Sequence, residues 1–242
     1  MLKEVPEVKV RIIPKEFFLG IEVLERNGLS LKNFRRLTKS GGDDKAKRII
    51  EILNEPVSKY HQLIKEWEEF YLKYFNIKID LKKIEIPAPP KQEKRLLIIV
   101  PALSVDRVIK SKRKHYSVVM ALSGPPAKLS NEITHHAPYA AWVAESINPH
   151  RKMRGTSALW AKENNVSGET LLERLLHDFK YWDETGKHLD HNYLTICSSS
   201  RFANGFVPLV AFDQDNIEGI IITQCEENKK HPHLGHRQVF RL

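Results

Sequence analysis

The stretch that most constrains this chain is SGETLLERLLHDFKYWDETG, Ser167 to Gly186. Leu171, Leu172, Leu175, Leu176, Phe179 and Trp182 recur at helical spacing and make one apolar face. Ser167 is placed to cap the helix, Glu169 and Glu173 sit near its positive end, and Gly186 ends it. After it come YLTIC, FVPLVAF, EGIIITQ and RQVFRL, which read as short strands separated by turn residues. The expected fold class is α+β.

Upstream, the N-terminal third reads as helical. KEFFLGIEVLERNG places Phe17, Phe18, Ile21 and Leu24 on one face, LKNFRRL follows Ser30, and DDKAKRIIEILN opens on two acids. In EPVSKYHQLIKEWEEFYLKYFN, two rows run at a seven-residue spacing: Val57, Ile64, Tyr71 and Tyr60, Trp67, Tyr74. That stripe suits a core, and it leaves an oligomer through helix 57–74 open. KIDLKKIEI is expected as a strand. PAPPKQEK, Pro87 to Lys94, reads as a stiff linker, since proline blocks helix at its own position and before it. The domains expected are therefore 1–86, mainly helical, and 95–242, with 87–94 between them. The middle section is read as α/β. RLLIIV and YSVVMAL flank a helix in SVDRVIKSKRK, suggesting a parallel pair with a right-handed crossover. PYAAWVAE is a further strand and TSALWAKENN a short helix.

The chain has 242 residues and a net charge of +9. No apolar run approaches the ~18 residues of a membrane span, so no membrane partner is expected. MLKEVPEVKVRIIP is too charged and too broken by proline for a secretory signal, and a cytoplasmic protein is expected. Cys197 and Cys225 are the two cysteines and are expected as free thiols, with a bridge between adjacent strands the alternative. Between Lys91 and Lys114 there are eight basic and two acidic residues. Arg107, Lys110, Lys112, Arg113 and Lys114 are thus candidates for nucleic-acid phosphate contacts, against the plainer reading of a solvated helix face.

CSSSRFANGFVPLV, Cys197 to Val210, is the stretch that most invites chemistry. A phosphate-cradling C-x5-R loop fails, because Arg201 is four residues after Cys197 and position 203 is Ala203. G-x-S-x-G and the glycine-rich phosphate loops are absent, and no cofactor is expected. A thiol nucleophile at Cys197, or a metal held by His231, His233 and His236 with Cys225, or by His188 and His191, is the enzymatic alternative, though the spacings match no strong pattern. Structure accounts for the stretch more simply. Arg201 would brace a loop through carbonyls, Gly205 supplies φ > 0, and Pro208 marks a strand start or a sheet edge. Val207, Leu209 and Ala211 would face one way, and Pro208, Val210 and Phe212 the other.

The run from PYAAWVAE through CSSSRFANGFVPLVAF to LGHRQVFRL resembles the target (variable) proteins of bacterial diversity-generating retroelements. The likeness is most specific at Cys197, Ser200, Arg201, Gly205, Val207, Pro208, Val210, Leu234, Arg237 and Val239. It implies a C-terminal ligand-binding module of the C-type-lectin type, related to the formylglycine-generating-enzyme fold. In such proteins fixed residues hold the scaffold while those between them face a ligand. The resemblance therefore implies structural roles for Cys197, Ser200, Arg201, Gly205, Pro208 and Arg237. It implies a ligand surface of Phe202, Ala203, Asn204, Phe206, Leu209, Ala211, Gln224, His231 and His233. Asn204 stands where the family has Asp, Phe212 where it has Trp, and Gly235 where it has Arg. The function expected is non-enzymatic binding of a protein or other macromolecule.

Overall fold

In the computed structural model the described residues are 60–91, 94–122, 129–131 and 135–242, with the isolated positions 19, 22, 26, 30, 44 and 47. The helices expected over 15–28, 31–37 and 43–54 otherwise fall outside them, as does Val57.

Helix α1, His61–Phe75, turns Ile64, Trp67, Phe70, Tyr71 and Phe75 inward. Two of its aromatic side chains also fasten it to strand β1, Lys94–Ile99. Trp67 Nε1 donates to the Leu96 carbonyl at 3.1 Å and the Tyr71 hydroxyl to the Ile98 carbonyl at 2.6 Å. The stripe expected as core or dimer seam is core, spent within the chain. Residues 59–242 form one compact unit, so the break expected at 87–94 falls inside it. Trp142 Nε1 even donates to the Pro87 carbonyl at 2.8 Å. KIDLKKIEI makes no strand. A turn at Lys82–Lys83 interrupts it, and Ile77, Ile79, Ile84 and Ile86 pack against the core without a ladder.

The strands sort into three sheets. The first has the order β1–β4–β10, with β4 at Tyr139–Ala144 and β10 at Val239–Phe240, all antiparallel. The second runs β2–β8–β7–β5–β9: Ser117–Met120, Gly219–Cys225, Val207–Asp213, Leu194–Ile196 and Leu234–Gly235. The third pairs β3, Leu129–Asn131, with β6, Ser200–Phe202. β1 and β2 flank helix α2, Val105–Lys112, as expected, but they do not pair. β1 runs antiparallel to β4, and β2 parallel to β8 with Ser117 opposite Gly219. A Cβ at Gly219 would lie 2.3 Å from the Ser117 carbonyl oxygen, so that register needs a glycine.

Helix α4, Leu171–Thr185, follows the short α3, Ala158–Glu163, and packs against α2, β1 and β7. Its cap is Thr170 rather than Ser167. The Glu173 N–H donates to Thr170 Oγ1, and the Thr170 N–H donates to Glu173 Oε2 at 2.7 Å. Ser167 instead bonds the Arg241 guanidinium. Gly186 ends the helix at φ 70°. Leu171, Leu175, Leu176 and Phe179 share one core with Leu97, Val210, Ile220 and Ile222. The opposite face of β7 is covered too: Val207 and Leu209 join Ala158, Ile196 and Leu234 in a second cluster. Pro208 is the second residue of β7, an interior strand, so it marks a strand start and not a sheet edge.

Candidate functional site

The residues expected to face a ligand around the β6–β7 turn divide. Ala203 and Asn204 are exposed, and Phe206 is half-buried. Asn204 Oδ1 accepts the Phe206 N–H at 3.1 Å, and Gly205 takes φ 82°. Phe202 and Leu209 correct the expectation, each being only 5% exposed. Phe202 lies opposite Leu129 in the small sheet, and Leu209 belongs to the second core cluster. Ala211 and Gln224 are half-buried on β7 and β8, while His231 and His233 are exposed. Arg201 braces the loop through the Ser198 and Ser200 carbonyls and also pairs with Glu227 at 2.7 Å.

Both cysteines are free thiols. Cys197 is fully buried, and burial pushes its thiol well up. His236 turns inward to the Ser157 carbonyl, away from exposed His231 and His233, and burial pulls it down to about 4. No group of three or more His, Cys, Asp or Glu among the described residues could hold a metal ion.

The basic segment is also redistributed. Lys112 is fully buried, donating to Asp178 Oδ2 and to the Leu175 carbonyl at 2.9 Å each. It is a core residue, not a phosphate contact. Burial alone would raise the Asp178 carboxyl, but Lys112 and a His188 hydrogen bond outweigh it and hold it well below its ordinary value. Arg107 bonds the Phe75 carbonyl and Arg113 the Val118 carbonyl. Arg107, Lys110, Arg113 and Lys114 all stay exposed.

A second buried cluster lies beyond α4. Asp190 accepts from Arg174 at 2.7 Å through one oxygen and from Arg237 at 2.6 Å through the other. Its backbone sits at φ 64°, a left-handed conformation held by these bonds and by the Asp190 N–H to the Ile147 carbonyl at 2.9 Å. Glu169 contacts His177 Nδ1 at 2.7 Å, and burial pushes its carboxyl up to about 8.

A second set of basic side chains gathers on Pro149 to Gly155, where Arg151 and Lys152 are exposed and Arg154 is half-buried. A 3-10 turn, Arg151–Met153, opens there, and His150 Nδ1 accepts the Lys152 N–H at 3.3 Å. The turn is stitched to β9. The Gly155 N–H donates to the Leu234 carbonyl at 2.8 Å, the His236 N–H donates to the Met153 carbonyl at 3.2 Å, and Arg154 bridges Gly235. A Cβ at Gly235 would sit 2.7 Å from Pro149 Cβ, so glycine is what admits this approach. Arg154 Nε donates to the Pro149 carbonyl at 2.8 Å, and its guanidinium carbon lies 4.1 Å from the Tyr193 ring centroid. Arg151, Arg154, Tyr193, Lys230 and His231 line an open groove of about 510 Å³ with Gly155 and Pro232. No carboxylate lines it among the described residues.

Of the expected ligand residues only His231 lines this groove, with His233 beside it at 5.5 Å between ring centroids. Arg151, Arg154, Tyr193 and Lys230 were missed. The signal was present: His150-Arg151-Lys152-Met153-Arg154 holds four basic or imidazole side chains in five residues. The longer Lys91–Lys114 segment outweighed it by count. No family model, curated protein or solved structure matches the chain. Among the described residues, no helix is long and apolar enough to cross a membrane.

Proposed function

We propose that this chain is a non-enzymatic binding protein that takes an acidic macromolecular partner in the groove between the Arg151–Gly155 turn and the Lys230–Pro232 loop. One observation carries the reading: three cationic side chains, an imidazole and a tyrosine share a groove that no described carboxylate lines. Like charges held together on a stitched backbone repel one another, and an anionic partner relieves that repulsion. The resemblance of the Cys197–Val239 residues to retroelement variable proteins supports a display module of C-type-lectin type. Exposed Ala203 and Asn204 fit its surface, and buried Phe202 and Leu209 do not. Single-stranded nucleic acid is a second reading, favoured by the guanidinium of Arg154 stacked on Tyr193 inside the groove.

Fluorescence anisotropy with a labelled poly-glutamate peptide and a labelled single-stranded oligonucleotide tests both. Affinity for the true partner class should fall steeply between about 50 and about 200 mM salt. The Arg151→Ala/Lys230→Ala double variant should weaken it by about tenfold or more. A flat salt response, or an unchanged double variant, refutes the groove.

A further inference from the structure

The opposite flank of the same turn holds a different feature. A narrow recess of about 160 Å³ is lined by Lys94, His150, Lys152, Arg237 and Gln238, with Ala144 and Met153 as its apolar wall. Every polar group on that lining is a hydrogen-bond donor or can present one, and no carboxylate lines it among the described residues. His150 is set as a donor. Its Nδ1 already accepts the Lys152 N–H, which leaves the hydrogen of the neutral ring on Nε2. Lys94 rests its ammonium 5.0 Å from the Phe240 ring centroid, and burial pulls it down.

Arg237 connects the recess to the interior. It is 1% exposed and spends its two terminal nitrogens on Asp190 and on the Ser146 and Ile147 carbonyls. Its Nε is buried with no hydrogen-bond partner among the described residues. Behind it, two guanidiniums share the single carboxylate of Asp190. Glu169 also lies 4.0 Å from Arg174 on that side, and burial pushes its carboxyl up to about 8. On the recess side the cationic lining has no carboxylate among the described residues, and a compact multivalent anion would satisfy its donors together.

We infer that the recess between the His150–Met153 turn and Lys94, closed at its base by Arg237 and Gln238, is a binding site for a phosphate group. The recess has room for the group, and its cluster of donors suits a free phosphate ion or the terminal phosphate of a monoester. The site is separate from the groove and does not rest on the partner proposed for it.

Calorimetric titration of the full chain with inorganic phosphate, and in parallel with methyl phosphate, tests the site. Saturable one-to-one binding is expected. Tighter phosphate identifies the free ion as the ligand, and tighter methyl phosphate identifies the monoester. Lys152→Gln combined with Lys94→Gln should weaken binding by about tenfold or more, because two charge-assisted contacts are lost. Both lysines reach the surface, so the variant should fold, and an unchanged melting curve checks that. Arg151→Ala/Lys230→Ala, which strips the groove, should leave phosphate affinity unchanged. Failure of both phosphates to bind saturably overturns the site, as does binding that survives the recess variant and is lost in the groove variant.

Discussion

Two basic segments of this chain are used differently. The Lys91–Lys114 region holds more charge, yet its helix turns Lys112 into the core and commits Arg107 and Arg113 to backbone carbonyls. The five residues His150–Arg154 hold less, yet a tight turn stitched to β9 spreads them along two hollows. A count of charges along a sequence therefore does not say which of them a protein withdraws from solvent, as it does Lys112. What decides is whether the local backbone has an interior partner of opposite sign within reach.

The comparison breaks most sharply at Asp178. Asp178→Ala would strand the buried Lys112 ammonium and remove the acceptor of the Leu189 N–H, held at 3.0 Å. A loss of about 3–5 kcal/mol is expected in denaturant unfolding. Adding Lys112→Met should restore part of it, because no unpaired buried charge then remains. If Lys112 were a surface contact, the single variant would be near neutral.

The groove is the other half of the contrast. Arg151→Ala/Lys230→Ala should weaken binding of the acidic partner by about tenfold or more, while stability moves by no more than about 0.5 kcal/mol. Binding and stability would thus separate cleanly between the two segments.

The buried carboxyls add a pH signature. Asp178 is held well below its ordinary 3.8. Its contribution to stability is full above that value and is lost as pH falls through the depressed one. Glu169 has the opposite sign. It rises from 4.5 to about 8, so the native state keeps a proton that the unfolded chain releases. Stability from this group declines as pH rises across that window. Glu169→Gln should flatten the decline, measured as unfolding midpoints at pH 5 and pH 8. A slope as steep as in the unaltered chain would place the proton elsewhere.

The smallest effect is expected at Lys110 and Lys114, two of the exposed cations of the longer segment. Lys110→Ala/Lys114→Ala should change neither binding nor stability beyond about 0.5 kcal/mol. A loss of nucleic-acid affinity in that variant would reinstate the helix as the interface.

Several elements were legible in the residues. The α4 period and its Gly186 stop, the inward stripe of α1, and the alternation in β7 all follow from local geometry. Even the corrected cap had its signature, since Thr170-Leu171-Leu172-Glu173 is a capping box and Ser167 has no glutamate three residues on. Sheet membership was not legible. RLLIIV and YSVVMAL both read as strands, and nothing local says that one joins β4 and the other β8. The outward set around β7 was half wrong for a related reason. Alternation puts Leu209 opposite Val210, but it cannot say that α3 and β9 cover the second face as well.

The sequence by itself therefore determined where elements begin and end, because helical periodicity, capping and left-handed turns such as Gly205 are settled within a few residues. Only the tertiary structure decided which charges are spent and which are offered. Lys110, Lys112 and Lys114 are alike in the sequence. Lys112 alone meets Asp178, 66 residues away on another helix. A contact at that separation depends on how two helices pack, and packing is fixed by the whole core rather than by either segment.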